Sequence, residues 1–225
     1  MGQQFTLTAA DQHQLGAYRA DPAGQSKGGV VVIQEIFGVN HHIRSVCDRL
    51  AAEGYTAVAP ALFDRTQKNF ECGYTPDEIA GARKFIANVD WDAMLKDTQA
   101  AIDELKKDGP VAIIGFCLGG SIAFLAATRL NGLSAAVAFY GGQIAKFADE
   151  KPKVPMQMHF GEKDQGIPMT DVEAIKGKRS GDSEIYTYAD APHGFHCDER
   201  QSFNKAASEA AWPRSLDFLK KHLKK

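Results

Sequence analysis

The sequence predicts an α/β domain: a mostly parallel central sheet with helices on both faces and an antiparallel hairpin at its N-terminal edge. Two observations carry the prediction. Apolar, strand-like runs alternate with helix-like segments along the whole chain, the order that builds parallel strands joined by crossover helices. The central runs, among them Val30 to Ile33, are apolar at every position rather than at every second one, as in strands covered on both faces. With 225 residues the chain can bury most of its apolar surface in one core, so residues 1–225 are expected to form a single domain. A hydrophobic fraction of 44%, a charged fraction of 24% and a formal net charge of −2 argue against a disordered or fibrous chain and give no reason to expect nucleic acid or an anionic membrane as partner.

Each element has its own signal. "FTLTAADQHQLGAYRADP" alternates weakly and is broken by polar residues, as an edge hairpin does. "GGVVVIQEIFGVN" contains the first buried strand, and "HHIRSVCDRLAAEGY" follows with Ile43, Val46 and Leu50 at helical spacing and Gly54 as its stop. "TAVAPALF" is the next strand. "TPDEIAGARKFIANV" opens on a Thr cap with proline at the first helical position and acids in the first turn, and predicts a helix from Thr75 to Val89. "DWDAMLKDTQAAIDELKKDG" is a second helix ended by Gly109. After it come strand "PVAIIGF", helix "LGGSIAFLAATRL", and strands "LSAAVAFYGG", "VPMQMHFG" and "EIYTYADA". The chain closes on "SFNKAASEAAWPRSLDFLKKHL", a helix expected to be interrupted near Pro213. No internal repeat or linker is visible.

The chemistry concentrates where a buried strand runs into a helix through Gly115-Phe116-Cys117-Leu118-Gly119. That passage must turn sharply at Cys117, and glycine two residues to either side avoids the side-chain clashes of so tight a turn. The unpaired N–H groups at the start of the following helix point at the sulfur and favour a thiolate there. The pattern is G-x-C-x-G, a nucleophile elbow with cysteine in place of the usual serine; the competing reading is a core cysteine flanked by packing glycines.

A nucleophilic thiolate needs a base and an orienting acid, and in this architecture they follow the nucleophile in the order acid, then histidine. Asp164 sits just past an apolar strand in "MQMHFGEKDQGIP", and His193 is bracketed by Pro192 and Gly194 in "YADAPHGFHCDER". Both fall in loops beyond strand ends, where an open parallel sheet places its ligands. His196 is the rival base, while His159, within a strand, reads as structural. Asp171, Asp190 and Asp198 are rival acids, the first and last reading better as helix-start or surface residues. His41 and His42 look like solvated helix-entry residues, and Cys47 like core.

Four motifs, "QEIFGVN" (Gln34 to Asn40), "GFCLGG" (Gly115 to Gly120), "EKDQGIP" around Asp164 and "APHGF" (Ala191 to Phe195), make the sequence resemble the dienelactone hydrolases, or carboxymethylenebutenolidases, of the α/β-hydrolase fold. The resemblance implies a Cys117, His193, Asp164 triad, with Glu35 contacting the resting thiol and governing its ionisation. By the logic of that fold, the oxyanion hole would be the N–H groups of Leu118 and Ile36. The family's dienelactone enzymes hold the substrate carboxylate with two arginines. Here Arg83 and Arg200 are the candidates, although Arg200 lies seven residues past the histidine, farther than the family pattern has it.

The resulting expectation is hydrolysis of enol-lactones or activated esters through a thioester, with no metal or organic cofactor and a small-molecule substrate. A broader carboxylesterase or thioesterase with the same triad, or a redox-sensing or binding module built around an oxidisable Cys117, are the alternatives. The N-terminus lacks a basic segment followed by an apolar one, and Cys47, Cys72, Cys117 and Cys197 lack disulfide or zinc spacing. A cytoplasmic monomer with reduced thiols is therefore expected.

Overall fold

A computed structural model describes residues 2–224. Strands β1 (Gln3–Thr8) and β2 (Gln14–Ala20) form the N-terminal hairpin, and β3 (Gly29–Ile33) leads into helix α1 (His41–Ala52). Strand β4 (Thr56–Pro60) is followed by α2 (Pro76–Ala82) and α3 (Trp91–Leu105), and β5 (Val111–Phe116) by α4 (Leu118–Arg129). The chain then alternates through β6 (Leu133–Phe139), the single turn α5 (Ile144–Phe147), β7 (Met156–Gly161), α6 (Met169–Arg179), β8 (Ser183–Tyr188) and α7 (Lys205–His222).

The strands form one sheet in the order β1-β2-β4-β3-β5-β6-β7-β8. β1 pairs antiparallel with β2 and β2 with β4, and every later pairing is parallel. Strands β3, β4, β5 and β7 are buried at every position, which explains the continuously apolar runs of β3 and β5; in β7 the buried Gln157 and His159 bond to each other. On one side α3 packs against α4. On the other α1 meets α7, where the Arg49 guanidinium lies 4.9 Å over the Trp212 ring. Among the described residues, no helix is long and apolar enough to cross a membrane.

Helix starts follow the sequence signals. Asn40 caps α1 by accepting from the Ile43 N–H, and Thr75 and Glu78 form the reciprocal capping box of α2. Three expectations are corrected. The predicted helix Thr75 to Val89 stops at Ala82 and tightens into a 3-10 turn over Arg83–Ile86, because Ala82 is the one residue of α2 buried deeply enough to anchor it. Helix α7 runs through Pro213 unbroken. The lost N–H is tolerated because buried Ala207 and Ala211 before the proline, and Ser215, Phe218 and Leu219 after it, hold both halves on the sheet. Finally, only His41 is a solvated helix-entry residue; His42 is completely buried, stacked edge-on against Phe116 at 6.2 Å.

The parallel strands all end at one edge of the sheet. Glu35 and Ile36 follow β3, Cys117 follows β5, Asp164 follows β7 and His193 follows β8. Residues up to 158 positions apart are thereby brought to one crevice by topology.

Candidate active site

Cys117 sits between β5 and α4 with φ 55° and ψ −112°, a backbone conformation that a residue with a side chain adopts at a cost of about 1–3 kcal/mol. The strain is enforced from both sides. A side-chain carbon at Gly115 would lie 1.9 Å from the Gly119 carbonyl oxygen, and one at Gly119 would lie 2.4 Å from that of Ile33. Only glycines allow strand, turn and helix to pack this closely. The Cys117 N–H donates to the Phe139 carbonyl at 3.0 Å, locking the turn to β6. Among the described residues, the N–H groups of Leu118 and Ile36 have no acceptor, and both residues line the cavity next to Cys117.

His193 lies against Cys117, and its Nδ1 is 2.7 Å from Asp164 Oδ2. The other Asp164 oxygen accepts from the Gly166 N–H at 2.8 Å and the Ile167 N–H at 3.2 Å, so this buried carboxylate is oriented by its own loop. The Tyr140 ring meets the imidazole edge-on at 5.1 Å. Burial opposes a charge on His193, but Cys117 and Asp164 outweigh it and push the pKa up to about 10.

The rivals are placed elsewhere. His196 is buried between Phe116 and Trp212, shares a hydrogen bond with Ser208 Oγ at 2.9 Å, and is pushed well down in pKa by burial. His159 is structural, as expected, bonded to Tyr188 and Gln157. Asp171 lies in the first turn of α6, Asp190 in a left-handed turn at φ 55°, and Asp198 on the surface.

Glu35 is buried just past β3, but its partner is not the thiol. Its Oε1 accepts from Arg200 Nη1 at 2.9 Å, and the guanidinium lies over the rings of Phe37 and Tyr74 at 5.3 and 5.9 Å. Burial works against the charge of Arg200, but the Glu35 carboxylate, together with Tyr140, Cys117 and Cys197, raises its pKa. Arg200 thus reaches the site despite its distance along the chain, because the turn from Gly194 folds back beneath the guanidinium: Gly194 has φ +78°, and a side-chain carbon there would lie 2.3 Å from Arg200 Nη1. A chamber of about 440 Å³ opens beside Cys117 and His193, lined by Arg83 and Arg200. It is also lined by Lys163, a residue missed in the sequence although it directly precedes Asp164. Trp91, on the other side of Cys117, carries no local signal, since the start of α3 reaches the site only through tertiary packing.

Comparisons with known proteins converge. The model of the dienelactone hydrolase family matches residues 15–223. A Synechocystis protein provisionally named a carboxymethylenebutenolidase is 38% identical, covering 94% of this chain and 93% of its own. The carboxymethylenebutenolidase of Pseudomonas putida is 30% identical over 96% and 94% of the two chains. The crystal structure of a provisionally named dienelactone hydrolase from Klebsiella pneumoniae superposes with a TM-score of 0.86 at 28% identity, covering 98% of this chain and 99% of the other. The chain has the α/β-hydrolase fold, belongs to the dienelactone hydrolase family and is a carboxylic ester hydrolase.

Proposed function

We propose that the protein hydrolyses enol-lactones or activated esters that carry a carboxylate, using Cys117 as nucleophile, His193 as acid and base, and Asp164 to orient the imidazole. The observation that carries this reading is a cysteine on a strained elbow beside an imidazole hydrogen-bonded at 2.7 Å to a buried carboxylate. With the shared proton on His193, the sulfur is the nucleophilic thiolate. It attacks the carbonyl carbon, and the resulting oxyanion is received by the N–H groups of Ile36 and Leu118. Collapse breaks the carbon–oxygen bond. The leaving oxygen takes the proton from His193, either as the bond breaks or just after it departs as an enolate, and a thioester remains. His193, now neutral, removes a proton from water as it attacks the thioester; the tetrahedral adduct expels the Cys117 thiolate, leaving the proton on His193 and a free acid as product.

Arg83 and Lys163 supply positive charge to receive the substrate carboxylate, and among the described residues neither is in an ion pair. Arg200 is held by Glu35 and contributes its remaining donors. Glu35 acts on the site through Arg200, since its bond is to the guanidinium. The four free cysteines suit a reducing compartment, and a cytoplasmic enzyme is the reading they favour.

The test is steady-state hydrolysis of cis- and trans-dienelactone beside p-nitrophenyl acetate by wild type and Cys117→Ala. A much higher kcat/KM for a dienelactone than for the acetate, lost in Cys117→Ala, is expected. Full activity after stoichiometric alkylation of Cys117 would refute the nucleophile assignment.

A further inference from the structure

The cavity does not end at the cationic chamber. On the far side of Cys117 and His193 a second chamber of about 390 Å³ opens, and the two share Ile36, Ile86, Cys117 and His193. Their chemistry differs. Arg83, Lys163 and Arg200 bring three cations to the first chamber, whereas the second has one, Lys146, with Ser121 and Gln143 as further polar lining and Ala87, Val89, Trp91 and Leu118 as its apolar wall. A cavity of about 150 Å³ holds a benzene ring. Either chamber therefore accommodates a ring with substituents, and a small lactone acid seated on the cations would leave the other unfilled.

Two further features indicate what fills it. Ile86, in the 3-10 turn that lines both chambers, is 36% exposed and is the one large apolar side chain left open to solvent among the described residues. Trp91 is braced edge-on by Phe147 at 5.6 Å and fixed at the first turn of α3, which Asp90 caps by accepting from the Ala93 N–H. An apolar side chain left in water at the wall of a cavity that a braced indole also lines is surface awaiting an apolar, preferably flat, occupant.

We infer that the chamber at Trp91 is a second substrate subsite and that the preferred substrates are two-armed esters. One arm bears a carboxylate directed at Arg83, Lys163 and Arg200; the other is an aromatic ring lying against Ile86, Val89 and Trp91, with the ester carbon between them at Cys117. This deepens the proposed function and rests on its placing of the nucleophile.

The experiment compares monophenyl glutarate with mono(2,2,2-trifluoroethyl) glutarate, which share the acid arm and differ in the size of the second arm. Intrinsic reactivity cancels when the phenyl-to-trifluoroethyl ratio of kcat/KM is compared between enzyme forms. Ile86→Ser and Trp91→Ala are each expected to lower that ratio about tenfold, the scale of a pocket contact, while Trp91→Phe largely preserves it. Ile86 is exposed, so Ile86→Ser carries the test even if Trp91→Ala fails to fold. A ratio unchanged in Ile86→Ser and Trp91→Ala, with both esters dead in Cys117→Ala, overturns the second subsite and leaves the proposed function standing. Undiminished hydrolysis by Cys117→Ala overturns the proposed function and the subsite with it, as does a wild type that cleaves neither ester.

Discussion

The Glu35–Arg200 pair offers the sharpest test of how the site is held together. The Glu35 side chain is 2% exposed and that of Arg200 15%, with 2.9 Å between oxygen and nitrogen, and the pair ties the exit of β3 to the loop that follows His193. Arg200→Met leaves a carboxylate buried without its cation, and Glu35→Gln leaves the guanidinium without its anion. Breaking a buried pair from one side costs about 3–5 kcal/mol, against about 0–1 for an exposed one. For a chain of this size each kcal/mol shifts Tm by about 2–4 °C, so either variant should melt about 6–20 °C lower. The double variant removes both charges together and should cost clearly less than the sum of the singles. Urea titrations at constant m, followed by tryptophan fluorescence and repeated by calorimetry, measure all four corners of the cycle. Single losses below about 1 kcal/mol, or additivity in the double variant, would refute the argument that this is a desolvated, mutually dependent pair.

Other outcomes follow from the same geometry. In Cys117→Ala the sulfur that raises His193 is gone, so its titration by NMR should move down from about 10 toward the ordinary histidine value near 6.5, with Asp164 still holding it partly up. Because the folded pKa is the higher one, the stability that His193 contributes is fully present below about 6.5 and lost as pH rises through about 10; Cys117→Ala should lose less across that window. Gly119→Ala drives a carbon to within 2.4 Å of the Ile33 carbonyl and should yield insoluble or inactive protein, visible in expression and circular dichroism. Burial pushes His42 and His196 down in pKa and His159 down to about 3, so each binds a proton more readily when unfolded. Stability should therefore fall as pH drops below about 6.5, by up to about 1.4 kcal/mol per pH unit for each of them, and a urea midpoint unchanged between pH 7.5 and 5 would contradict this.

Much of this was legible in the residues because its causes are local. The run Val30 to Ile33 announces a doubly covered strand without knowledge of its neighbours, Thr75 with Glu78 announces a helix start, and Gly115 and Gly119 around Cys117 announce a turn that tolerates no other residues. Asp164 and His193 could be selected because chain order and loop position are sequence properties. What lay outside the sequence depends on distant partners. Pro213 breaks a helix in isolation, yet the sheet beneath α7 holds it. His42 looks polar and exposed by type, but the rings of Phe116 and His196 enclose it. Likewise, that Glu35 bonds to Arg200 rather than to the thiol is decided where the end of β3 meets the loop after His193.

By itself, then, the sequence determined the strand-and-helix alternation, the cysteine elbow, and the acid and histidine that follow it, since backbone sterics and hydrophobic periodicity act over a few residues. Only the tertiary structure decided which charges pair in the crevice and how far the cavity extends past Cys117 toward Trp91. Those depend on side chains converging from β3, the segment 83–91 and the loops after β7 and β8, and a convergence of that kind has no period or spacing in the chain to reveal it.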